Sequence, residues 1–113
     1  MREVNRMAIL AVKEEIILSA LMLLSGSSHG APLRKRVVEL SGKEIVYGTL
    51  YNLLEVLIRK GLVTSQKSKP TPVRGGRSKT IYSITAKGKQ ALEETLLMHE
   101  RIKKSVLSFE TEA

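Results

Sequence analysis

In the segment Val46-Tyr47-Gly48-Thr49-Leu50-Tyr51-Asn52-Leu53-Leu54-Glu55-Val56-Leu57-Ile58-Arg59-Lys60-Gly61, an apolar series falls at 46, 50, 53, 54, 57 and 58. Intervals of three and four residues put all six on one side of an α-helix. Gly61 is the residue that ends such a helix at C′. The opposite side carries Gly48, Asn52, Glu55 and Arg59, with Thr49 and Tyr51 at its flanks. Tyr51 sits about 100° from the centre of the stripe. Its ring therefore reads either as core or as a body packed beneath a hydroxyl that reaches a phosphate. A helix of this kind is anchored from behind and presents a thin polar face in front.

Towards the amino terminus, Ser41-Gly42-Lys43 reads as a turn. Ser41 with Glu44 also fits an S-x-x-E capping box, which would start the helix several residues earlier. A second helix is expected over 31–40, with Pro32 in its first turn where no amide donor is needed. It would bury Leu33, Val37 and Leu40 and expose Arg34, Lys35 and Arg36. Ser25-Gly26-Ser27-Ser28-His29-Gly30 is a loop by composition, with His29 capping or orienting the start of that helix. Apolar residues at 16, 17, 18, 20, 21, 23 and 24 predict a helix over 13–24, buried on most of its surface. Residues 4–12 either extend it or form a separate turn.

Towards the carboxy terminus the periodicity changes. Residues 62–67 and 80–85 are short and rich in β-branched side chains, and two prolines and two glycines lie between them. That predicts a hairpin with a long tip. Thr85 is a good N-cap for a last helix over 86–107, or on to Phe109. Along it Leu92, Thr95, His99, Ile102, Val106 and Phe109 alternate three and four residues apart. Such a seam projects past any core that this small chain can fold around it.

Composition removes most chemistry. The 113 residues are 42% hydrophobic and 27% charged, which suits one compact domain. There is no cysteine, aspartate or tryptophan, and the two histidines, His29 and His99, are far apart. Thiolate sites and disulfides are excluded, no cofactor or metal is expected, and an enzyme is not expected. No apolar run approaches the roughly 20 residues of a membrane span. Arg2, Arg6 and the apolar patch after them imitate a signal peptide only until Glu14 and Glu15 interrupt it, so the cytoplasm is the expected location.

The net charge of +8 is unevenly placed. Residues 56–92 hold nine basic groups and no acid, whereas the segments on either side are close to balanced or acidic. A solvated surface normally mixes both signs, so this window reads as a footprint for a polyanion. It offers no amphipathic helix for a membrane surface.

Helix, helix–turn–helix and hairpin, in that order, make a winged helix: α+β, mainly α, with a two-stranded wing and a long carboxy-terminal helix. In such a fold double-stranded DNA would meet Arg34, Lys43, Tyr47, Gly48, Thr49, Tyr51 and Asn52 from the helix–turn–helix. From the wing it would meet Arg74, Gly76, Arg77 and Lys79. Asn52 is the best reader of a base edge, because an amide pairs bidentately with adenine. The expected division is a DNA-binding unit over 1–85, of which 1–12 is an extension, and a dimerisation helix with a short tail over 86–113. Leu92, Leu96, His99, Ile102 and Val106 would form the dimer seam.

The chain also resembles the PadR family of transcriptional regulators, over about residues 16–92. The likeness rests on His29-Gly30, Gly48-Thr49-Leu50-Tyr51, Gly61-Leu62-Val63, Gly75-Gly76-Arg77, Tyr82-Ser83-Ile84-Thr85 and Lys87-Gly88. Ala31 stands where the family usually has tyrosine, and Asn52 where proline often follows. The first removes a hydroxyl that would touch phosphate, and the second adds an amide where bases can be met. The resemblance implies a homodimer held by the last helix, a palindromic operator and, usually, repression. Some relatives bind aromatic effectors in a pocket at the dimer centre, often lined with tryptophan or other aromatics. With no tryptophan and only Phe109 near that seam, a stacked aromatic effector has no support in these residues. The rival readings are an adaptor that binds protein, which the acid-free window disfavours, and an RNA-binding winged helix, which would need more exposed aromatics than four.

Overall fold

The computed structural model describes residues 9–68 and 79–112. Their elements run α1 Val12–Leu23, β1 Ser27–Ser28, α2 Gly30–Ser41, α3 Tyr47–Arg59, β2 Val63–Lys67, β3 Thr80–Ile84 and α4 Ala86–Glu112. The predicted helices and both long strands are present, with α4 running past the expected end at Phe109 to Glu112. The architecture is a winged helix with a long final helix, as expected.

One core unites the elements. Ile17, Leu18, Ala20 and Leu21 of α1 meet Leu33 and Val37 of α2, Leu50, Leu54 and Leu57 of α3, and Tyr82 and Ile84 of β3. The stripe on α3 is thus the anchor that its spacing predicted, with two departures at helix ends. Val46 is the N-cap and is exposed rather than buried. Leu40 lies in the last turn of α2 and is also exposed, because the chain turns away at Gly42 before α3 can cover it. Glu14, buried at the start of α1, accepts the Ala11 amide and pairs with Lys60, so its charge is matched.

Two local expectations changed. The Ser-Gly-Ser-Ser loop contains a two-residue strand, β1, which pairs antiparallel with β3 to give the sheet order β1-β3-β2. Ser27 and Ser83 link their hydroxyls across it at 2.7 Å. No hydrophobic alternation marks so short a strand. Nor do Ser41 and Glu44 form a capping box. The Ser41 hydroxyl accepts the Lys43 amide, Glu44 turns back to Arg34, and α3 starts only at Tyr47.

β2 and β3 are in register from Val63 opposite Ile84 to Lys67 opposite Thr80. The hairpin continues through Ser68, whose amide donates to the Lys79 carbonyl and whose hydroxyl accepts the Lys79 amide. Arg74, Gly76 and Arg77 lie outside the described residues. Before the hairpin, Gly61 adopts φ +77°, and the Leu62 amide reaches the Leu57 carbonyl at 2.9 Å, closing the end of α3.

Thr85 caps α4 by accepting the Gly88 amide at 2.9 Å, and its hydroxyl donates to the Gly61 carbonyl. This brings the first turn of α4 against the strand start. A Cβ at Gly88 would collide with the Leu62 carbonyl oxygen and approach the Ile84 side chain to 2.8 Å. Gly88→Ala is therefore expected to destabilise the fold by roughly 1–3 kcal/mol, the usual range for overpacking. Urea unfolding measures this, and an unchanged midpoint would show that the helix can shift without loss.

Ala91, Leu92 and Thr95 of α4 are buried in the same core, and the Leu10 amide donates to the Thr95 hydroxyl. Leu92, placed by its spacing on the outer seam, is thus only 6% exposed. The first residues of the stripe pack inside the chain's own core and only the later ones lie outside it. Among the described residues no helix is long and apolar enough to cross a membrane.

Candidate nucleic-acid interface

The polar face of α3 is open. Tyr47, Gly48, Thr49, Tyr51, Asn52, Glu55 and Arg59 are exposed, and nothing lies within 4 Å of the position a Cβ would take on Gly48. Leu50, Leu54 and Leu57 are fully buried behind them. The amino-terminal half of the helix therefore offers an aromatic ring, a bare backbone, a hydroxyl and an amide within two turns. These groups suit hydrogen bonding to base edges and phosphates.

Beside that face lies a cleft of about 620 Å³ lined by His29, Gly30, Ala31, Tyr47, Tyr51, Lys79, Thr80 and Tyr82. It brings the first turn of α2, the first turns of α3 and the base of the hairpin together on one side of the molecule. Lys79 is exposed at its rim. His29 occupies the N-cap position of α2, but its side chain makes no capping bond.

Aromatic rings build the wall of this cleft. Tyr47 stacks on Tyr51 with centroids 5.8 Å apart, and Tyr51 tilts against Tyr82 at 6.2 Å. The Tyr51 hydroxyl lies directly under Gly30, where any side chain would collide with it. The Tyr51 ring packs between the other two rings, while the residue stays 38% exposed. Burial, followed by the nearby Tyr51 and Glu55, pushes the Tyr82 phenol above its ordinary pKa, so this hydroxyl stays protonated at neutral pH. In the sequence Tyr82 enters only within the segment Tyr82–Thr85 that carries the family likeness, and not as a site residue. The signal was available in the alternation of Tyr82 and Ile84 along the strand.

Arg34 and Lys43 behave differently from one another. Lys43 is exposed in the turn between α2 and α3. Arg34 is turned inward: its Nε donates to the Ile45 carbonyl at 2.6 Å and its Nη2 to Glu44 at 3.0 Å. Its guanidinium carbon lies 5.2 Å from the centre of the Tyr47 ring. Farther along the chain, Lys87 donates to the Lys60 carbonyl and ties α4 to the end of α3.

The remaining candidates sit on α4, away from this surface. Its stripe of Ala91, Leu92 and Thr95 continues past the core as His99, Ile102, Val106 and Phe109, all exposed. His99 pairs with Glu15 of α1 at 3.0 Å. Leu96 lies on the flank of the stripe and is half exposed.

The comparisons agree with this geometry. The family model described as the transcriptional regulator PadR-like family matches residues 17–94, well over half of the chain. A PadR family transcription regulator from Clostridium difficile is similar in structure, with a TM-score of 0.72 and 26% identity over 88% of this chain and 98% of that one. A winged-helix DNA-binding protein from STIV gives 0.61 and 26%, over 86% and 94%. An organohalide-sensing transcriptional regulator solved with 2,4-dichlorophenol gives 0.71 at 18% identity, and this chain spans only 53% of its length. At that identity the likeness is one of fold. Among curated proteins no relative matches the chain.

Proposed function

Because the chain belongs to the PadR-like family of transcriptional regulators and has the winged-helix fold of a DNA-binding regulator, we propose that it acts as a homodimeric repressor on a palindromic operator. The observation that carries the reading is the single surface on which the open amino-terminal turns of α3 and Lys79 lie together. The amino-terminal turns of α3 enter the major groove, because the rest of the helix is held against the core by Leu54 and Leu57. Tyr47, Thr49 and Asn52 read base edges there, and Gly48 lets the backbone come close. Tyr51, Lys43 and Lys79 meet phosphates. Arg74, Gly76 and Arg77 join them on sequence grounds alone, as part of a stretch rich in cations and free of acids.

The homodimer is supported by the apolar side chains that α4 exposes beyond the protomer core. Two copies joined along that seam would present two α3 helices to two half-sites, which is why the operator is palindromic. Repression is the reading that the family resemblance favours. The test is selection of fragments from genomic DNA by the full-length protein. An enriched inverted repeat is expected, and retention of duplexes without any sequence preference would overturn the reading.

On such an operator, Asn52→Ala should cost roughly 1–3 kcal/mol and relax preference at one base pair in each half-site. Affinity for random duplex should stay unchanged. Competition binding with the two duplexes measures both. An equal loss on both would make Asn52 a backbone contact.

A further inference from the structure

We infer that Arg34 is a positioning residue for sequence readout, one that fixes the first turn of α3, and that it makes no phosphate contact of its own. The inference rests on the DNA-binding reading above and concerns how the reading helix is held. Arg34 lies in the first turns of α2, on the DNA-facing side, and by charge alone it would be counted among the phosphate ligands.

Its bonds point the other way. Both described hydrogen bonds of its guanidinium go to the segment just before α3, Ile45 and Glu44. The guanidinium carbon sits over the ring of Tyr47, the first residue of α3. The side chain retains only 29% of its exposure, against 80% for Glu44. One planar fork thus grips the residues before α3 while its charge sits over the ring that opens the helix. Tyr47 in turn stacks on Tyr51, and Tyr51 leans on Tyr82 of β3. A continuous line of contacts therefore runs from α2 through the start of α3 to the base of the wing. No capping side chain fixes the start of α3, since Val46 is the N-cap and makes no side-chain bond. Arg34 takes that place from outside the helix.

The chemistry explains why arginine is needed. Lysine has the same charge but no planar fork and no flat face to lay on a ring. A residue that supplies only charge to a phosphate tolerates Arg34→Lys. A residue that holds geometry does not.

Three proteins are compared on the selected operator and on random duplex over a salt series: native, Arg34→Lys and Arg34→Met. Both variants are expected to lose about tenfold in affinity for the operator, to keep their affinity for random duplex and to keep the native salt slope. Retained discrimination in Arg34→Lys, with a slope lower by about one unit in Arg34→Met, is the behaviour of a phosphate contact and would overturn the inference. Thermal melting checks the fold, and loss of cooperative melting in Arg34→Lys would overturn it as well. A native protein that does not discriminate operator from random duplex would mark failure of the underlying reading instead. Amide resonances of Tyr47, Gly48 and Thr49 in the free protein then decide the positioning role. They shift in Arg34→Lys if the residue sets this turn and stay in place if it does not.

Discussion

A chain ended after Glu100 should remain folded, become monomeric at micromolar concentration and bind the operator roughly 10²–10⁴-fold more weakly, the usual gain from joining two binding units. The reason lies in the division of α4. Ala91, Leu92 and Thr95 belong to the core and are retained in this truncation. Ile102, Val106 and Phe109 carry the same stripe onward with at least half of each side chain exposed, and they are removed. Sedimentation measures the mass and a gel shift the affinity. A full-length protein that is already monomeric would refute the dimer, and a truncated one that stays dimeric would refute the seam beyond Glu100 as its interface. Ending the chain after Gly88 is not an equivalent test. It would strip Leu92 and Thr95 from the core and unfold the protein.

Leu54→Ala should cost roughly 2–5 kcal/mol, the range for emptying a leucine site in a packed interior. Leu54 is fully buried at the centre of the α3 stripe, among side chains from the other core elements. Domains of this size hold about 5–15 kcal/mol in all, so a large part of the stability goes with one side chain. Denaturant unfolding gives the loss directly. Binding at low temperature, where the variant is still folded, should be nearly native because Leu54 faces away from the DNA side. A loss below 1 kcal/mol would mean that neighbouring side chains close the cavity.

Several features were legible before any coordinates. The spacing over 46–58 identified a helix with one anchored side, and the exposed residues of that helix are the ones its polar face named. Thr85 as a cap and Gly61 as a terminator were equally plain, because each depends on contacts within a few residues. The charge window at 56–92 and the absence of cysteine and aspartate narrowed the function by exclusion. The seam of α4 was visible as a period of three and four, and it does continue as one stripe.

The sequence by itself determined the order of the elements, the side of each helix that is buried and the sign of the surface, since propensity, periodicity and charge are carried by neighbouring residues. Only the tertiary structure decided what depends on distant partners. β1 exists because Ser27 and Ser28 find Ser83 and Tyr82 across the chain. Leu92 lies inside because the core reaches up α4 as far as Thr95. Arg34 faces the start of α3 because the turn brings Glu44 and Ile45, ten and eleven residues away, back to its guanidinium. A cation on an amphipathic helix looks the same in sequence whether it meets a phosphate or a carbonyl. Its partner is set by how the chain returns, and that is a property of the packed fold.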